Sequence, residues 1–431
     1  MRDSFIARPS QVGTNQKSGS SGKPVVVLFV HHSNDLYGAD VMLLETVRRL
    51  DPLRFSAHVV LPSDAKGTGG LCAELARIRV GVTWMPLPIF RRKYLRPRYL
   101  FSYLARSITS FFKLRSLILE LEANIVHLNT LAVAPTALSV RAASVPIVWH
   151  VHEIIRRPVI VRRLMHRACA AFSQRVLCIS LAVKDNLVLD QPAIQPIVRV
   201  IPNGIDTQHF AKQDRSSESL RFGRISSQSL LIGMIGRINQ WKGQDVLIKA
   251  ASLLRGEFPE LNWVIVGSVF ADEHHHREQI DAQLRELDLS DVVTILDFTD
   301  EVPSILSSLD IYVHLSKQPE PFGLAIVEAM SAELPVVATA PGGPSEIVLD
   351  GVTGLLVPPN DPASTAKALR ELILNPETRK KMGAAGLERA NTFYQVDRYV
   401  QQVEALYDEV LQENNKMPPL FQRLRLHGSA K

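Results

Sequence analysis

Two carboxylates, a Pro-Phe-Gly turn and the start of a predicted helix occur together between residues 317 and 346. The prolines on either side of Glu320 disfavour helix before Phe322, and Gly323 relieves the backbone, so LAIVEAMSAE is predicted to begin a helix at Phe322–Leu324. The unpaired N–H groups and the dipole of such a helix end can hold an anion. The chemistry indicated is the binding of a phosphate beside two carboxylates.

Glu328 lies one turn beyond Leu324 on the same face of the predicted helix. A ligand with its phosphate at the helix start could therefore leave its ribose hydroxyls within reach of the Glu328 carboxylate. Glu320, in the preceding loop, would lie nearer the reacting end. The alternative is an ordinary buried strand, loop and helix with solvated glutamates, and one E-x7-E spacing is weak evidence against it.

The segments before and after this predicted helix favour a phosphate-binding site over the alternative. IYVHLS and PVVAT are predicted to be buried strands before and after the helix, and APGGPSE carries two glycines where a backbone could approach a ligand closely. A second unit, LLIGMIGRINQWKGQDVLIKAA, is predicted to be a strand, loop and helix with Arg237 and Lys242 in the loop. An arginine fork and a lysine point charge suit a diphosphate, although any lone pair of cations could also be a solvated basic loop.

These segments resemble the retaining glycosyltransferases of family 4. Glu320 to Gly323, followed by Glu328, Ala329 and Met330, resembles the EPFG...EAM motif of that family, and Gly342-Gly343 with Glu346 resembles its GG-x-x-E. Residues 236 to 243 resemble G-R-x-x-x-x-K-G, and residues 202 to 206 resemble P-N-G-V-D. In one departure, the family usually has glycine where this chain has Glu333.

The resemblance extends to the first half of the chain. PVVVLFVH is predicted to be a buried strand, and Tyr37-Gly38-Ala39-Asp40 after it resembles the Gly-Gly-Ala-Glu loop of the family with one glycine replaced. The family match singles out His152-Glu153, which would face the donor sugar. For any one of His150, His152 and His166, a surface or satisfied core histidine is the commoner outcome.

The resemblance implies an α/β protein of the GT-B fold, in which two Rossmann-like doubly wound domains enclose a cleft and a C-terminal helix crosses back. It implies catalytic roles for His152 and Glu320. The donor-binding residues it implies are Gly38, Arg237, Lys242, Phe322, Gly323, Leu324 and Glu328.

Turn-rich and polar stretches divide the chain. We predict a disordered tail over residues 1–23, an acceptor-side Rossmann-like domain over 24–202, a nucleotide-sugar-binding domain over 203–395, a crossover helix over 396–415 and a flexible tail over 416–431. The crossover helix is predicted to bury one face, formed by Tyr399, Val403, Leu406, Tyr407 and Val410.

Length and composition limit the class of protein. The chain has 431 residues, 46% of them hydrophobic, and a mean hydropathy of +0.05, which indicates a globular protein of about two domains. It contains no run of 18 apolar residues and no secretory signal pattern, so we expect a cytoplasmic location. Cys72, Cys169 and Cys178 lack C-x-x-C spacing, which favours reduced thiols. His274-His275-His276 shows no ligand set of known geometry and is predicted to be a solvated loop or helix start.

Charge is distributed unevenly along the chain. Residues 1–200 carry 27 Lys and Arg against 12 Asp and Glu, whereas the remainder carries 22 against 31. Residues 91–115 hold eight basic residues, no acid and six Tyr or Phe, which is typical of an interfacial amphipathic segment on an anionic membrane, or of a basic helix packed on a sheet. A second basic cluster comprises Arg156, Arg157, Arg162, Arg163 and Arg167.

The function that the resemblance implies is transfer of a sugar, with retention, from a UDP- or GDP-linked donor to the hydroxyl of a saccharide or lipid-linked acceptor. Such an enzyme would serve polysaccharide, lipopolysaccharide or glycolipid biosynthesis, would require no metal or other cofactor, and would not bind nucleic acid. A GT-B epimerase or phosphorylase, or a non-catalytic binding protein, stays as an alternative because fold does not fix function. Nicotinamide dehydrogenase and P-loop kinase interpretations fail, since neither glycine-rich motif is present.

Overall fold

The computed structural model describes residues 23–67, 69–90, 100–212, 229–269, 274–297 and 299–416. Both predicted tails lie outside these residues except at their inner ends, Lys23 and Lys416. The basic residues from Arg91 to Arg98 and most of the polar run after residue 212 also lie outside the described residues.

The first half forms a seven-stranded parallel sheet with the order β3-β2-β1-β4-β5-β6-β7. Its strands are short, and the central ones are largely apolar and buried on both faces, as a parallel sheet covered by helices requires. They are β1 (Val25–Val30), β2 (Phe55–Pro62), β3 (Gly81–Met85), β4 (Ile125–Leu128), β5 (Ile147–Val151), β6 (Arg175–Cys178) and β7 (Val198–Val200).

Helices connect most of these strands and cover the sheet. They are α1 (Gly38–Arg49), α2 (Leu71–Arg77), α3 (Leu100–Glu120), α4 (Ala137–Ala142), α5 (Val159–Phe172) and α6 (Leu181–Asp190). The helix α1 begins at Gly38, three residues before the predicted VMLLETVRRL, because Asp40 caps its first turn by accepting a hydrogen bond from the Tyr37 backbone N–H at 3.1 Å.

The second half forms a six-stranded parallel sheet with the order β10-β9-β8-β11-β12-β13. Its strands are β8 (Leu231–Ile235), β9 (Asn262–Val266), β10 (Val293–Leu296), β11 (Ile311–His314), β12 (Val336–Thr339) and β13 (Gly354–Val357). The sequence analysis did not identify β13. Its four residues follow a turn and pair with β12 on one side only, so the local pattern is short.

The helices of the second half are α7 (Gln244–Arg255), α8 (His275–Glu286), α9 (Val302–Ser308), α10 (Leu324–Ser331), α11 (Pro344–Ile347), α12 (Pro362–Leu374), α13 (Pro376–Phe393) and α14 (Val396–Lys416). The start of α10 agrees with the prediction, but the helix ends before Glu333, which has a φ of +59°. Glutamate therefore adopts the left-handed conformation for which glycine is usual at this turn. Two other expectations also hold: α8 begins at His275, and the three cysteines are free.

The C-terminal helix α14 crosses back onto the first sheet. All five residues of its predicted face are buried. The hydroxyl of Tyr399 lies 3.0 Å from that of Thr46 in α1, and the hydroxyl of Tyr407 lies 2.7 Å from Nδ1 of His127 in β4. These contacts fasten the end of the chain to the first half. No helix within the described ranges is both long enough and apolar enough to cross a membrane.

Strand order determines which loops meet. In each sheet the order reverses at one point, between β1 and β4 in the first and between β8 and β11 in the second. The loops that leave the carboxyl ends of two such strands diverge and open a crevice where ligands bind in doubly wound folds. The loops after β8 and β11 carry the predicted donor-binding residues, and the loop after β1 carries Gly38.

Candidate active site

Lys242 and Glu320 form a buried ion pair at the crevice of the second sheet. Nζ of Lys242 lies 2.6 Å from Oε1 of Glu320, and the two side chains are only 15% and 11% exposed. The other carboxylate oxygen accepts hydrogen bonds from Nε2 of His314, at 2.6 Å, and from the hydroxyl of Ser316. Both oxygens of Glu320 are thus engaged by residues at the carboxyl ends of β8 and β11.

The charges around Glu320 keep it ionised. Burial opposes its ionisation, but the positive charge of Lys242 and the hydrogen bonds from His314 and Lys242 hold the pKa of Glu320 well below its usual range. From the sequence, Lys242 was predicted to bind a diphosphate and Glu320 to lie nearer the reacting end, as two separate groups. In the structure they form an ion pair with each other.

The loop before α10 presents its backbone to the crevice. Gly323 has a φ of +112°, which a side chain would disfavour, and it places the first turn of α10 at the loop end. The Phe322 ring is buried and meets the Tyr394 ring edge-on, with centroids 5.9 Å apart. Phe322 can therefore offer only its backbone to a ligand, while its side chain anchors the loop in the core.

Glu328 is a desolvated carboxyl without a cation. Burial raises its pKa to about 7, so it is half ionised near neutrality. Within the part of the chain that the structure describes, its carboxyl accepts no hydrogen bond. A charged acceptor in this state gains strongly from hydroxyl donors on a ligand.

Arg237 reaches across to the first half of the protein. Its guanidinium lies over the ring of Tyr37, 3.8 Å from the ring centroid. The start of α1 and the start of α10 also approach each other, because a Cβ added at Gly38 would lie 3.6 Å from Cδ1 of Leu324. The starts of α1 and α10 and the loop after β8 therefore lie close together, which brings predicted donor-binding residues of both halves into one region.

Gly342 and Gly343 lie close to the backbone of the loop that carries Glu320 and Phe322. A Cβ at Gly342 would lie 2.5 Å from the carbonyl oxygen of Glu320, and one at Gly343 would lie 2.4 Å from Cα of Phe322. The two loops therefore pack closely on each other at these glycines. These glycines thus fix the backbone that carries Glu320 and the start of α10.

Glu346 joins the two halves. Its carboxylate oxygens accept hydrogen bonds from the backbone N–H groups of Leu181 and Ala182, both at 2.8 Å, at the start of α6. The hydroxyl of Ser180 donates to the carbonyl of Pro321 at 2.6 Å. The Pro-Phe-Gly loop is therefore held directly against the first half.

A buried polar network lies at the crevice of the first sheet. Nε2 of His152 donates to Oδ1 of Asn129 at 3.2 Å, and the Asn129 amide donates to Nδ1 of His31 at 3.0 Å. Nε2 of His31 then donates to Asp40 at 2.8 Å. Burial opposes ionisation of Asp40, but His31 and Ser33 hold its pKa at about 2. This network, which is consistent with neutral His152, leaves Nδ1 of His152 as an acceptor.

Two further histidines continue from His152 into the sheet. The rings of His152 and His150 lie 3.8 Å apart, and those of His150 and His127 lie 5.3 Å apart. Burial lowers the pKa of all three, to about 3 for His127 and well below the usual value for the others. Nε2 of His150 has no hydrogen-bond partner among the described residues.

The Glu153 carboxylate is bound by backbone groups of the first half. It accepts from the backbone N–H groups of Leu131, at 3.2 Å, and His152, at 3.1 Å. Burial raises the pKa of this group. Sequence reasoning missed the roles of Asn129 and Tyr37 because their contacts join strands or loops that are distant in the chain. It also missed His314, although this residue lies only six positions before Glu320. A polar residue at the end of a buried strand was the available signal for Asn129 and His314.

Two family models match successive parts of the chain. The model described as Glycosyltransferase Family 4 matches residues 36–209, and the model described as Glycosyl transferases group 1 matches residues 216–389. Between them they span most of the chain. It belongs to glycosyltransferase family 4. The resemblance noted in the motifs of this glycosyltransferase is thereby confirmed.

Curated relatives of the glycosyltransferase match about half of its length. A D-inositol 3-phosphate glycosyltransferase of Paenarthrobacter aurescens is 35% identical over 217 residues, which is 49% of this chain and 52% of the relative. One of the same name from Stackebrandtia nassauensis is 32% identical over 202 residues, 46% of this chain and 45% of the relative. The chain thus spans about half the length of the curated relatives that it matches.

Solved structures confirm the fold. Anabaena Alr3699/HepE in complex with UDP aligns with a TM-score of 0.78 and 23% identity, over 89% of this chain and all of that one. A glycosyltransferase of Rickettsia africae aligns with a TM-score of 0.76 and 19% identity, over 91% of this chain and all of that one. The predicted GT-B fold, with two Rossmann-like domains, is correct for this glycosyltransferase.

Proposed function

We propose that this family 4 glycosyltransferase transfers a sugar from a nucleoside-diphosphate sugar to an acceptor hydroxyl, with retention at the anomeric carbon. The observation that carries the proposal is the convergence of Arg237, Lys242 and the start of α10 on one cleft, beside the uncompensated carboxyl of Glu328. Cations and helix N–H groups suit a diphosphate, and a carboxylate suits ribose hydroxyls. Gly38, Phe322, Gly323 and Leu324 would present backbone to the donor.

Departure of the diphosphate leaves an oxocarbenium-like centre, so fixed positive charge on the phosphates is the main catalytic demand. Arg237 would supply a planar fork of donors. Lys242 has three N–H donors and gives one to Glu320, so it can bind a phosphate while Glu320 holds it in place. His152 would accept a hydrogen bond from the sugar at Nδ1. On this proposal the charge comes from side chains and no metal is needed.

UDP sugars are the first donors to try, because the Anabaena protein was solved with UDP and with UDP-glucose, and GDP sugars are the second. A thermal-shift panel of UDP, GDP and their common sugars tests the proposal. Binding to the native state raises the melting temperature with the logarithm of ligand concentration over Kd. A panel in which no nucleotide raises the melting temperature would overturn the proposed function.

Replacing Glu328 by alanine is expected to weaken binding of the preferred nucleoside diphosphate by about 1.5 to 3 kcal/mol, because it removes a charged hydrogen-bond acceptor. That corresponds to a roughly tenfold to 150-fold increase in Kd, measurable by titration calorimetry. Folding should be retained, since burial of the ionised carboxyl is unfavourable in the free protein.

The exposed Glu388 on α13 provides a matched control, and its replacement by alanine should leave Kd unchanged. If Glu328→Ala binds the nucleotide as tightly as the wild type, Glu328 does not belong to the donor site.

We further propose that the first half docks on an anionic membrane, on its cytoplasmic face, and that the acceptor is lipid-linked. The helix α3 exposes an apolar stripe at helical spacing, with Phe101 84%, Leu104 51%, Ile108 61% and Phe112 65% exposed. Lys113 and Arg115 on the same helix are exposed and basic. Apolar side chains that enter the headgroup region beside basic residues are the pattern of a peripheral membrane helix.

A second exposed pair extends this surface. Ile160 and Leu164 of α5 are 69% and 57% exposed, and α5 contacts α4, which in turn packs on α3. The exposed Arg163 lies between them in the sequence. Two neighbouring helices therefore offer apolar and basic side chains together, as docking on anionic lipid would require.

Wild-type protein is expected to sediment with anionic liposomes at low salt and to be released as salt screens the attraction. Changing Phe101, Ile108 and Phe112 to serine should reduce sedimentation at every salt concentration, because the apolar contribution is lost. Leu253 and Leu374 are exposed apolar residues of the second half, and changing both to serine is the control.

If the wild type ignores anionic liposomes even at low salt, the membrane proposal is wrong. A soluble anionic acceptor then becomes the better candidate for the basic first half. The printed name of the curated relatives makes D-inositol 3-phosphate the first such acceptor to test.

A further inference from the structure

An aromatic side chain of the first half covers the arginine of the second. Tyr37 directly precedes α1, and Arg237 follows β8, 200 positions later in the chain. The guanidinium carbon lies 3.8 Å from the centre of the Tyr37 ring, within the range of a cation–π contact. The contact bridges the two walls of the cleft at the position where a donor diphosphate would bind.

The backbone of Tyr37 is held firmly. Its N–H donates to Oδ2 of Asp40 at 3.1 Å, and its carbonyl accepts from the N–H of Val41 at 2.8 Å. Asp40 is itself bound by Nε2 of His31 at 2.8 Å. The ring is consequently attached to a fixed point at the start of α1, although the residue is 47% exposed.

Stacking and phosphate binding use different parts of a guanidinium. The ring of Tyr37 occupies one face of Arg237, whereas the N–H donors point outward in the guanidinium plane. A phosphate can therefore be bound at the edge while the face stays covered. The stack restricts the rotation of a long side chain before the ligand arrives, which lowers the entropy lost on binding.

We propose that Tyr37 is a positioning residue that holds the Arg237 guanidinium in the orientation needed for the donor diphosphate. The inference rests on the proposed function, because it takes Arg237 as a phosphate ligand. It adds a residue of the first half to the donor site of the second half. Donor affinity then depends on the approach of the two halves.

The test measures the Kd of wild type, Tyr37→Ala, Tyr37→Phe, Arg237→Ala and the Tyr37→Ala/Arg237→Ala double variant by calorimetry. The probe is whichever of UDP, GDP and ADP the wild type binds most tightly. Tyr37→Ala is expected to raise Kd by about threefold to thirtyfold, the range of a cation–π contact. Tyr37→Phe keeps the ring and should bind as the wild type does. Leu36→Ala, a neighbouring exposed residue, controls for disturbance of the loop.

The double variant distinguishes positioning from a general structural effect. If Tyr37 acts through Arg237, its removal should have no further effect once Arg237 is alanine. Equal Kd values for wild type and Tyr37→Ala, or additive effects in the double variant, would overturn the inference while leaving the proposed function intact. If the wild type binds none of the three nucleotides, the proposed function fails and the inference fails with it.

Discussion

Replacing Arg237 and Lys242 together by alanine is expected to lower kcat/KM for sugar transfer by roughly a thousandfold to a hundred-thousandfold. Removing one preorganised donor from a transition-state site commonly costs about 10² to 10³ in rate, and a single arginine on a transferring phosphoryl group can be worth about 10³ to 10⁵. Both cations would neutralise charge that develops on the leaving diphosphate. Donor turnover by wild type and variant, measured in EDTA, checks this expectation.

The stability of each variant must be measured together with its activity, because Lys242 also forms an ion pair with Glu320 in the protein itself. Its removal leaves the Glu320 carboxylate, 11% exposed, with His314 and Ser316 as its remaining side-chain partners among the described residues. Loss of one partner of a buried ion pair destabilises a protein by about 3 to 5 kcal/mol. We therefore expect Lys242→Ala to lower the melting temperature and Arg237→Ala to lower it much less, so assays belong below the lower melting temperature.

Lys317 provides the matched control. Its Nζ lies 2.6 Å from Oδ2 of Asp245, the same separation as in the Lys242 pair, and it stands in the loop after β11. Lys317→Ala should leave transfer within a few fold of the wild type. Normal activity of the Arg237 and Lys242 double variant would show that other groups bind the diphosphate. Wild-type activity that EDTA abolishes and magnesium or manganese restores would show that a metal supplies the charge.

The free energy of unfolding is expected to fall steeply as pH decreases below about 6.5. His127, His150 and His152 stay neutral in the folded protein, since burial lowers the pKa of each, to about 3 for His127. In the unfolded chain a histidine takes up a proton near pH 6.5. The unfolded state therefore binds more protons in acid, so stability is full above that pH and is lost below it.

Each such histidine removes up to about 1.4 kcal/mol per pH unit, so three of them remove roughly 4 kcal/mol per unit. That is a large part of the 5 to 15 kcal/mol that stabilises a typical domain. Glu328 acts in the opposite direction. Its pKa is raised to about 7, so its contribution to stability improves as pH falls from 7. Burial raises the pKa of Glu153 in the same direction, and these two carboxyls offset only part of the effect of the three histidines.

Urea unfolding at several pH values between 7.5 and 5 measures this slope. His127→Gln and His150→Gln should each make the slope shallower by about one proton, whatever they do to stability at pH 7.5. His275→Gln, in the exposed start of α8, should leave it unchanged. A free energy of unfolding that is level or rising from pH 7 to 5 would contradict the account of these histidines.

The alternation of strands and helices could be predicted because its signals are local, whereas the GT-B arrangement was implied by the resemblance of the motifs to family 4. Short Val- and Ile-rich runs bounded by turns predicted strands such as β1, β8, β11 and β12, and the apolar spacing of α14 predicted its buried face. The strand β13 was missed because four residues at a sheet edge carry little periodicity. Glu333 also follows from local rules only in part. The turn after α10 requires a residue in the left-handed conformation, but no neighbouring residue in the sequence indicates that a glutamate adopts this conformation.

The contacts within the candidate site could not be predicted, because they depend on strand order. Lys242 meets Glu320 because β8 lies next to β11, and Asn129 meets His31 because β1 lies next to β4. Neither pairing has a sequence signal, since the partners are 78 and 98 residues apart. The motifs therefore predicted which residues belong to the candidate site, whereas the strand order determines which of those residues pair with each other.

The most direct test of the account follows the wild-type protein with UDP-glucose, UDP-galactose, UDP-N-acetylglucosamine and GDP-mannose in EDTA by NMR, with water as the only acceptor. We expect at least one donor to be cleaved, so that free nucleoside diphosphate is seen in the ³¹P spectrum. The first sugar anomer in the ¹H spectrum should match that of the donor, and the Arg237 and Lys242 double variant should release none. Release of the opposite anomer would contradict retention, and four donors that are neither bound nor cleaved would contradict the assignment as a nucleotide-sugar transferase.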